Sequence, residues 1–80
     1  MNIVIKTDKG SMSIWVAGSD RVEELIEIIV KHFNLPEDGT YGLGKQNHVF
    51  VEFGKSYTLE ECGVVEGDQL IFTEYNSSSY

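Results

Sequence analysis

Eighty residues, 41% of them apolar, suffice for one modest core and exclude a catalytic domain with a separate lid. Six lysines and arginines against thirteen aspartates and glutamates leave a net charge of -7, which repels nucleic acid and anionic membranes over most of the surface. One cysteine permits no internal disulfide, and the longest apolar stretch, Leu25 to Val30, is broken by Glu27 and falls far short of the roughly 20 residues of a membrane span.

No signal-peptide pattern opens the sequence, so the expectation is a soluble protein of the reducing cytoplasm. Met1, Ile3 and Ile5 alternate with Asn2, Val4 and Lys6, the period of two of a strand with one buried face. Asp8-Lys9-Gly10 supplies turn chemistry, and Met12, Ile14 and Val16 resume the alternation, which predicts a hairpin. Asp20 and Glu23 have the spacing of a capping box, so a helix is expected from about 21 to 34. Its stripe is Val22, Leu25, Ile26, Ile29 and Phe33, with Glu23, Glu24, Glu27 and Lys31 on the wet face. Pro36 and Glu37-Asp38-Gly39 end it.

Thr40 to Leu43 and Val49 to Phe53 read as short strands around a Gly44-Lys45-Gln46-Asn47 turn. Thr58 to Cys62 reads as one short helical turn, Gly63 and Gly67 as chain reversals, and Gln69 to Tyr75 as the last strand. The expected organisation is one domain over 1–75 and a mobile serine-rich tail over 76–80.

The order hairpin, helix, short strands, helical turn, final strand is that of the β-grasp fold. Met1-Asn2-Ile3-Val4-Ile5-Lys6-Thr7 with Gly10, followed by Ser19-Asp20-Arg21-Val22-Glu23, resembles ubiquitin. Leu59-Glu60-Glu61-Cys62-Gly63-Val64 with Gly67-Asp68-Gln69-Leu70 is more similar to the small bacterial ubiquitin-like proteins of the EsaB/YukD family. The resemblance spans residues 1 to about 75 and implies an α+β, ubiquitin-like β-grasp fold. Its mixed sheet has four to five strands, the first and last adjacent and parallel in the middle, with the helix on one face. The implied core is Met1, Ile3, Ile5, Met12, Ile14, Val16, Val22, Leu25, Ile26, Ile29, Leu43, Leu59, Val64, Leu70 and Phe72.

For function, the resemblance implies two classes. Ubiquitin-like modifiers and sulfur carriers are activated at a terminal Gly-Gly, whereas residues 76–80 read Asn-Ser-Ser-Ser-Tyr, so that role is not expected here. EsaB/YukD proteins are non-conjugated accessories of bacterial type VII secretion, which makes a non-enzymatic protein-interaction module the leading expectation. The alternative is a small β-grasp subunit of a multicomponent enzyme such as a bacterial monooxygenase.

The positions matching ubiquitin's apolar binding patch fall at Asp8 or Lys9, near Gly42, and at Thr73, none of them apolar, so ubiquitin-receptor binding is not implied. Val4, Trp15 and Ile71 instead occupy the outward phase of the first, second and last strands. They form either a protein-contact surface with Trp15 as anchor or the scattered apolar residues that every surface carries. Ile28 also lies off the helix stripe. Cys62 has acidic neighbours and reads as a structural thiol, while His32 and His48 have no metal-ligand spacing. Glu60-Glu61 reads as a solvated acidic face, and the expectation is no catalytic residue, no cofactor, no metal, and a protein partner.

Overall fold

The alternation at the start of the chain builds the second strand of a five-stranded sheet. The structure, a computed structural model, describes residues 1–75, and the tail expected over 76–80 lies outside the described residues. The elements are β1 (Asn2–Thr7), β2 (Gly10–Trp15), α1 (Val22–His32), β3 (Thr40–Asn47), β4 (Val49–Glu52) and β5 (Gln69–Tyr75). The strand order is β2-β1-β5-β3-β4, with β1 and β5 parallel and the other pairs antiparallel. This α+β arrangement of a mixed sheet and one helix is compatible with a β-grasp.

Gly10 takes the hairpin turn between β1 and β2 at a φ of 129°, where a side chain would be strained. The Thr7 hydroxyl closes the turn, accepting the Lys9 N–H at 2.9 Å and donating to the Gly10 carbonyl at 2.8 Å. Ile3, Ile5, Leu43, Leu70 and Phe72 project from the sheet onto Val22, Leu25, Ile26 and Ile29 of the helix, and all are buried. Met12 and Ile14 are only partly buried, because β2 is an edge strand whose inner face the helix does not fully cover, and Met1, just ahead of β1, is also only partly buried. Four core residues lie outside the expected set. Val30 widens the helix stripe, Leu35 and Phe53 close the core just past α1 and β4, and Tyr41 stacks on Phe72 at 5.4 Å between ring centroids.

The helix starts and ends differently from the expectation. Arg21 is the N-cap, and its N–H donates to Glu24 Oε1 at 2.8 Å, so the reciprocal contact sits one residue later than Asp20 and Glu23. Asp20 Oδ2 instead accepts the Ala17 N–H at 2.9 Å. The orphan amides of Val22 and Glu23 donate to the carbonyls of Tyr57 and Lys55, at 2.9 and 3.0 Å, so a distant loop does the work of a cap side chain. At the other end, Asn34 takes a φ of 54°, its N–H donates to Lys31 O, and the Leu35 N–H donates to Val30 O. That is a Schellman motif with asparagine in the usual glycine position, and it stops α1 at His32 and buries Leu35.

The expected Gly44-Lys45-Gln46-Asn47 turn is strand. β3 runs through it, pairing Gly44 with Glu52 and Asn47 with Val49, and the reversal is made by His48 alone at a φ of 69°. The 58–62 turn is held by Thr58 and Glu61: the Thr58 N–H donates to Glu61 Oε1 at 2.8 Å and the Glu61 N–H to Thr58 Oγ1 at 3.2 Å. Gly63 and Gly67 make the next two corners at φ of 81° and 85°. Leu59, fully buried, donates its N–H to Asp20 O, which ties this corner to the entrance of the helix.

Candidate protein-binding surface

Residues that alternate with the core residues face away from the helix: Asn2, Val4 and Lys6 on β1, Ser11, Ser13 and Trp15 on β2, and Gln69, Ile71 and Thr73 on β5. Val4 stands opposite Ser13 on one side and Gln69 on the other, and Lys6 opposite Ser11 and Ile71. Trp15, opposite Asn2, is therefore the diagonal neighbour of Val4, a spacing of about 7–8 Å that a long side chain spans. Ile71 is one step further along the same diagonal. The three sequence-predicted residues thus share one face and one line across three adjacent strands.

Their exposure differs. Trp15 is 67% exposed, whereas Val4 and Ile71 are half-buried between their polar neighbours. Ile71 floors a shallow groove of about 440 Å³ lined by Lys6, Thr7, Asp8, Phe72, Thr73 and Glu74. Beyond it the face closes: Tyr75 OH donates to Glu52 Oε1 at 2.5 Å, and this contact arches over Gly42, where a Cβ would meet both side chains at under 3.0 Å. Hydrogen bonding to the Glu52 carboxylate, then burial, holds the Tyr75 hydroxyl above its ordinary pKa. Gly42 and Thr73 face each other across β3 and β5.

Five carboxylates hold the backbone in place. Asp20, Glu24, Glu61, Glu66 and Asp68 each accept a backbone N–H, from Ala17, Arg21, Thr58, Asn2 and Val65. The backbone and hydroxyl hydrogen bonds of Thr58 hold Glu61 below its ordinary pKa. For Asp68, burial pushes upward, but the Lys45 ammonium at 2.9 Å and the Val65 N–H outweigh it, and the net shift is downward. Cys62 is partly buried against the core, and burial, then the Glu61 charge, pushes its thiol up, away from thiolate reactivity. His32 lies edge-on to Phe33 at 4.8 Å, and His48 is at the hairpin tip. Among the described residues no cluster of His, Cys, Asp and Glu could hold a metal ion.

Ile28 is 46% exposed at the rim of a hollow of about 220 Å³ beside Val16. A groove of about 470 Å³ runs between α1 and the start of β3, with Lys31 and Lys55 beside Glu27 and Glu37 over Ile26 and Val30. Five further exposed large apolar side chains were not singled out from sequence: Val49 at 64%, Val51 at 54%, Tyr57 at 56%, Val65 at 58% and Tyr75 at 41%. Val49 and Val51 share the strand phase of the buried Phe53, so a period of two carries no signal that they are exposed. No protein-family model matches the chain, and no curated protein matches it.

Proposed function

We propose that this chain is a ubiquitin-like β-grasp domain of the EsaB/YukD kind that acts without catalysis, as a protein-interaction module serving a bacterial type VII secretion system. The five-strand order, the parallel contact of β1 with β5, and the positive φ of Gly63 and Gly67 in the segment that carries the resemblance all support the family. Trp15 carries the functional part. An indole two-thirds exposed, in line with Val4 and Ile71, offers a rigid apolar anchor on a surface otherwise lined by serine, threonine, asparagine, glutamine and Lys6. The surrounding acidic charge favours approach to a basic partner.

Capture of native-host proteins on the immobilised chain tests this. Trp15→Asp leaves the fold intact, because little of the indole is buried, and weakens retention of the partner about a hundredfold, the scale of a hot-spot residue. Retention equal to wild type removes the Trp15 face as the anchor. A membrane ATPase among the retained proteins assigns the domain to secretion, and a di-iron hydroxylase assigns it to a multicomponent monooxygenase.

A further inference from the structure

The free edge of β2 is open to a further strand. Gly10–Trp15 contains no proline and no charged side chain, and among the described residues β1 is its only neighbour in the sheet. The register shows which backbone groups are unused. Met1 and Val16 exchange two hydrogen bonds, the Met1 nitrogen donating to Val16 O at 2.7 Å and the Val16 N–H to Met1 O at 2.8 Å. Hydrogen-bonded pairs alternate along an antiparallel ladder, so Ile14, Met12 and Gly10 also spend their backbone groups on β1. The N–H and C=O of Ser11, Ser13 and Trp15 therefore point away from the sheet, and all three residues are exposed.

Beside that edge the apolar layer is unfinished. Met12 and Ile14 are only partly covered on the helix side, and the hollow of about 220 Å³ past the end of β2 has Val16 and Leu25 in its lining and the half-exposed Ile28 at its rim. A strand laid against β2 sets its inward side chains beside Met12, Ile14 and Ile28 and its outward ones beside Trp15. Charge selects the occupant. Asp20 and Glu24 line the same hollow, each with one carboxylate oxygen on a backbone N–H. Among the described residues neither stands in an ion pair, and no basic side chain lines the hollow. A cationic side chain at this end of the edge meets these carboxylates on the helix side or the Trp15 indole on the other. A second copy of the chain, itself at -7, is repelled.

We propose that the β2 edge binds an extended, basic segment of a partner protein as a sixth strand, with alternate apolar side chains over Met12, Ile14 and Ile28 and an arginine or lysine beside Asp20 and Glu24. The inference rests on the protein-binding reading above and gives it a mode, in which backbone pairing makes the contact and Trp15 flanks it.

NMR titration of the isotope-labelled chain with two synthetic peptides tests this. Both alternate valine and threonine over the length of β2, one flanked by arginines and the other by glutamates. The arginine peptide saturates the chain below about 1 mM, slows hydrogen exchange at the Ser11, Ser13 and Trp15 amides, and binds about tenfold or more tighter than the glutamate peptide. Ser13→Pro removes an amide that β1 does not use, keeps the far-UV CD spectrum and abolishes saturation. Glu24→Gln, which retains an acceptor for the Arg21 N–H, weakens the arginine peptide about threefold. Absence of saturation overturns the proposal, as does equal affinity for the two peptides. Binding lost in Trp15→Asp but kept in Ser13→Pro places the contact on the sheet face and overturns the edge. Binding lost in Ser13→Pro but kept in Trp15→Asp supports the edge and removes Trp15 as the anchor. A free chain that sediments as a dimer dissociated by Ser13→Pro gives the edge to a second copy and overturns the proposal.

Discussion

Gly44 is the position where one added methyl group has the most calculable cost. An ideal Cβ there lies 2.1 Å from the Val51 carbonyl oxygen, 2.8 Å from its carbon and 2.9 Å from the Glu52 Cα. These are backbone atoms that no rotamer change can move. Since real Cβ atoms keep at least 3.0 Å, Gly44→Ala forces the Val51 carbonyl back by about 0.9 Å. That loosens the Lys45–Val51 pair and the neighbouring ladder, at about 0.5–1.5 kcal/mol for each of two hydrogen bonds. Lower unfolded-chain entropy returns about 0.4–1 kcal/mol, so the net loss at the middle of these ranges is about 1.3 kcal/mol. A domain of this length has a total stability of about 4–12 kcal/mol. Urea unfolding followed by far-UV CD measures it, because Trp15 is too exposed for its emission to report unfolding. Hydrogen exchange should show faster exchange at the Val49, Val51 and Phe53 amides. Gly54→Ala is the control. Its Cβ meets only the ring of Tyr57, which is 56% exposed and free to swing, so stability changes by less than about 0.5 kcal/mol. Equal stability of wild type and Gly44→Ala refutes the reasoning.

Asn34→Gly should stabilise the protein by up to about 1 kcal/mol, and Asn34→Val should destabilise it, because only the positive φ of the Schellman motif is altered; thermal unfolding of the pair reads both signs. Asp68→Asn should cost about 1 kcal/mol at neutral pH through loss of the Lys45 ion pair. The folded pKa of Asp68 is depressed, so its contribution is complete above the ordinary value of 3.8 and disappears as pH falls through the lower, folded value. Wild type and Asp68→Asn should converge in stability below that range, and a constant difference across pH refutes the ion pair as its source.

What could be read in the sequence was local and periodic. Ile3 and Ile5, the α1 stripe and the glycine corners announce themselves through spacings of two, of three and four, and through the left-handed backbone that Gly63 and Gly67 adopt. Trp15, Val4 and Ile71 could be placed on one face for the same reason, since strand phase sets the side. The helix expected from about 21 begins at Val22, but its capping pair is Arg21–Glu24 and not Asp20–Glu23, which has equal spacing, and the choice between them is made by the carbonyls of Lys55 and Tyr57, over thirty residues away. The 44–47 segment reads as a turn only if its glycine signifies a bend. Gly44 instead gives β4 room to approach, and the bend falls on His48, whose residue type carries little such preference. Tyr41 shares the strand phase of Leu43, so a spacing of two already points it inward, whereas Phe53 enters the core just past the end of β4, where alternation no longer applies.

The parallel contact between β1 and β5 joins residues such as Ile5 and Leu70, at opposite ends of the chain. During synthesis, the β1–β2 hairpin and α1 are complete while β5 has yet to be made, so Ile3 and Ile5 wait on a strand whose second edge is bare. β3 waits too, since its inner neighbour is also β5. The sheet is thus two separate antiparallel ribbons until the last strand slides between them, and the domain gains its stability in one late step. A nascent chain halted before Leu70 should therefore be open to proteolysis along its whole length, and the same chain released a few residues later resistant.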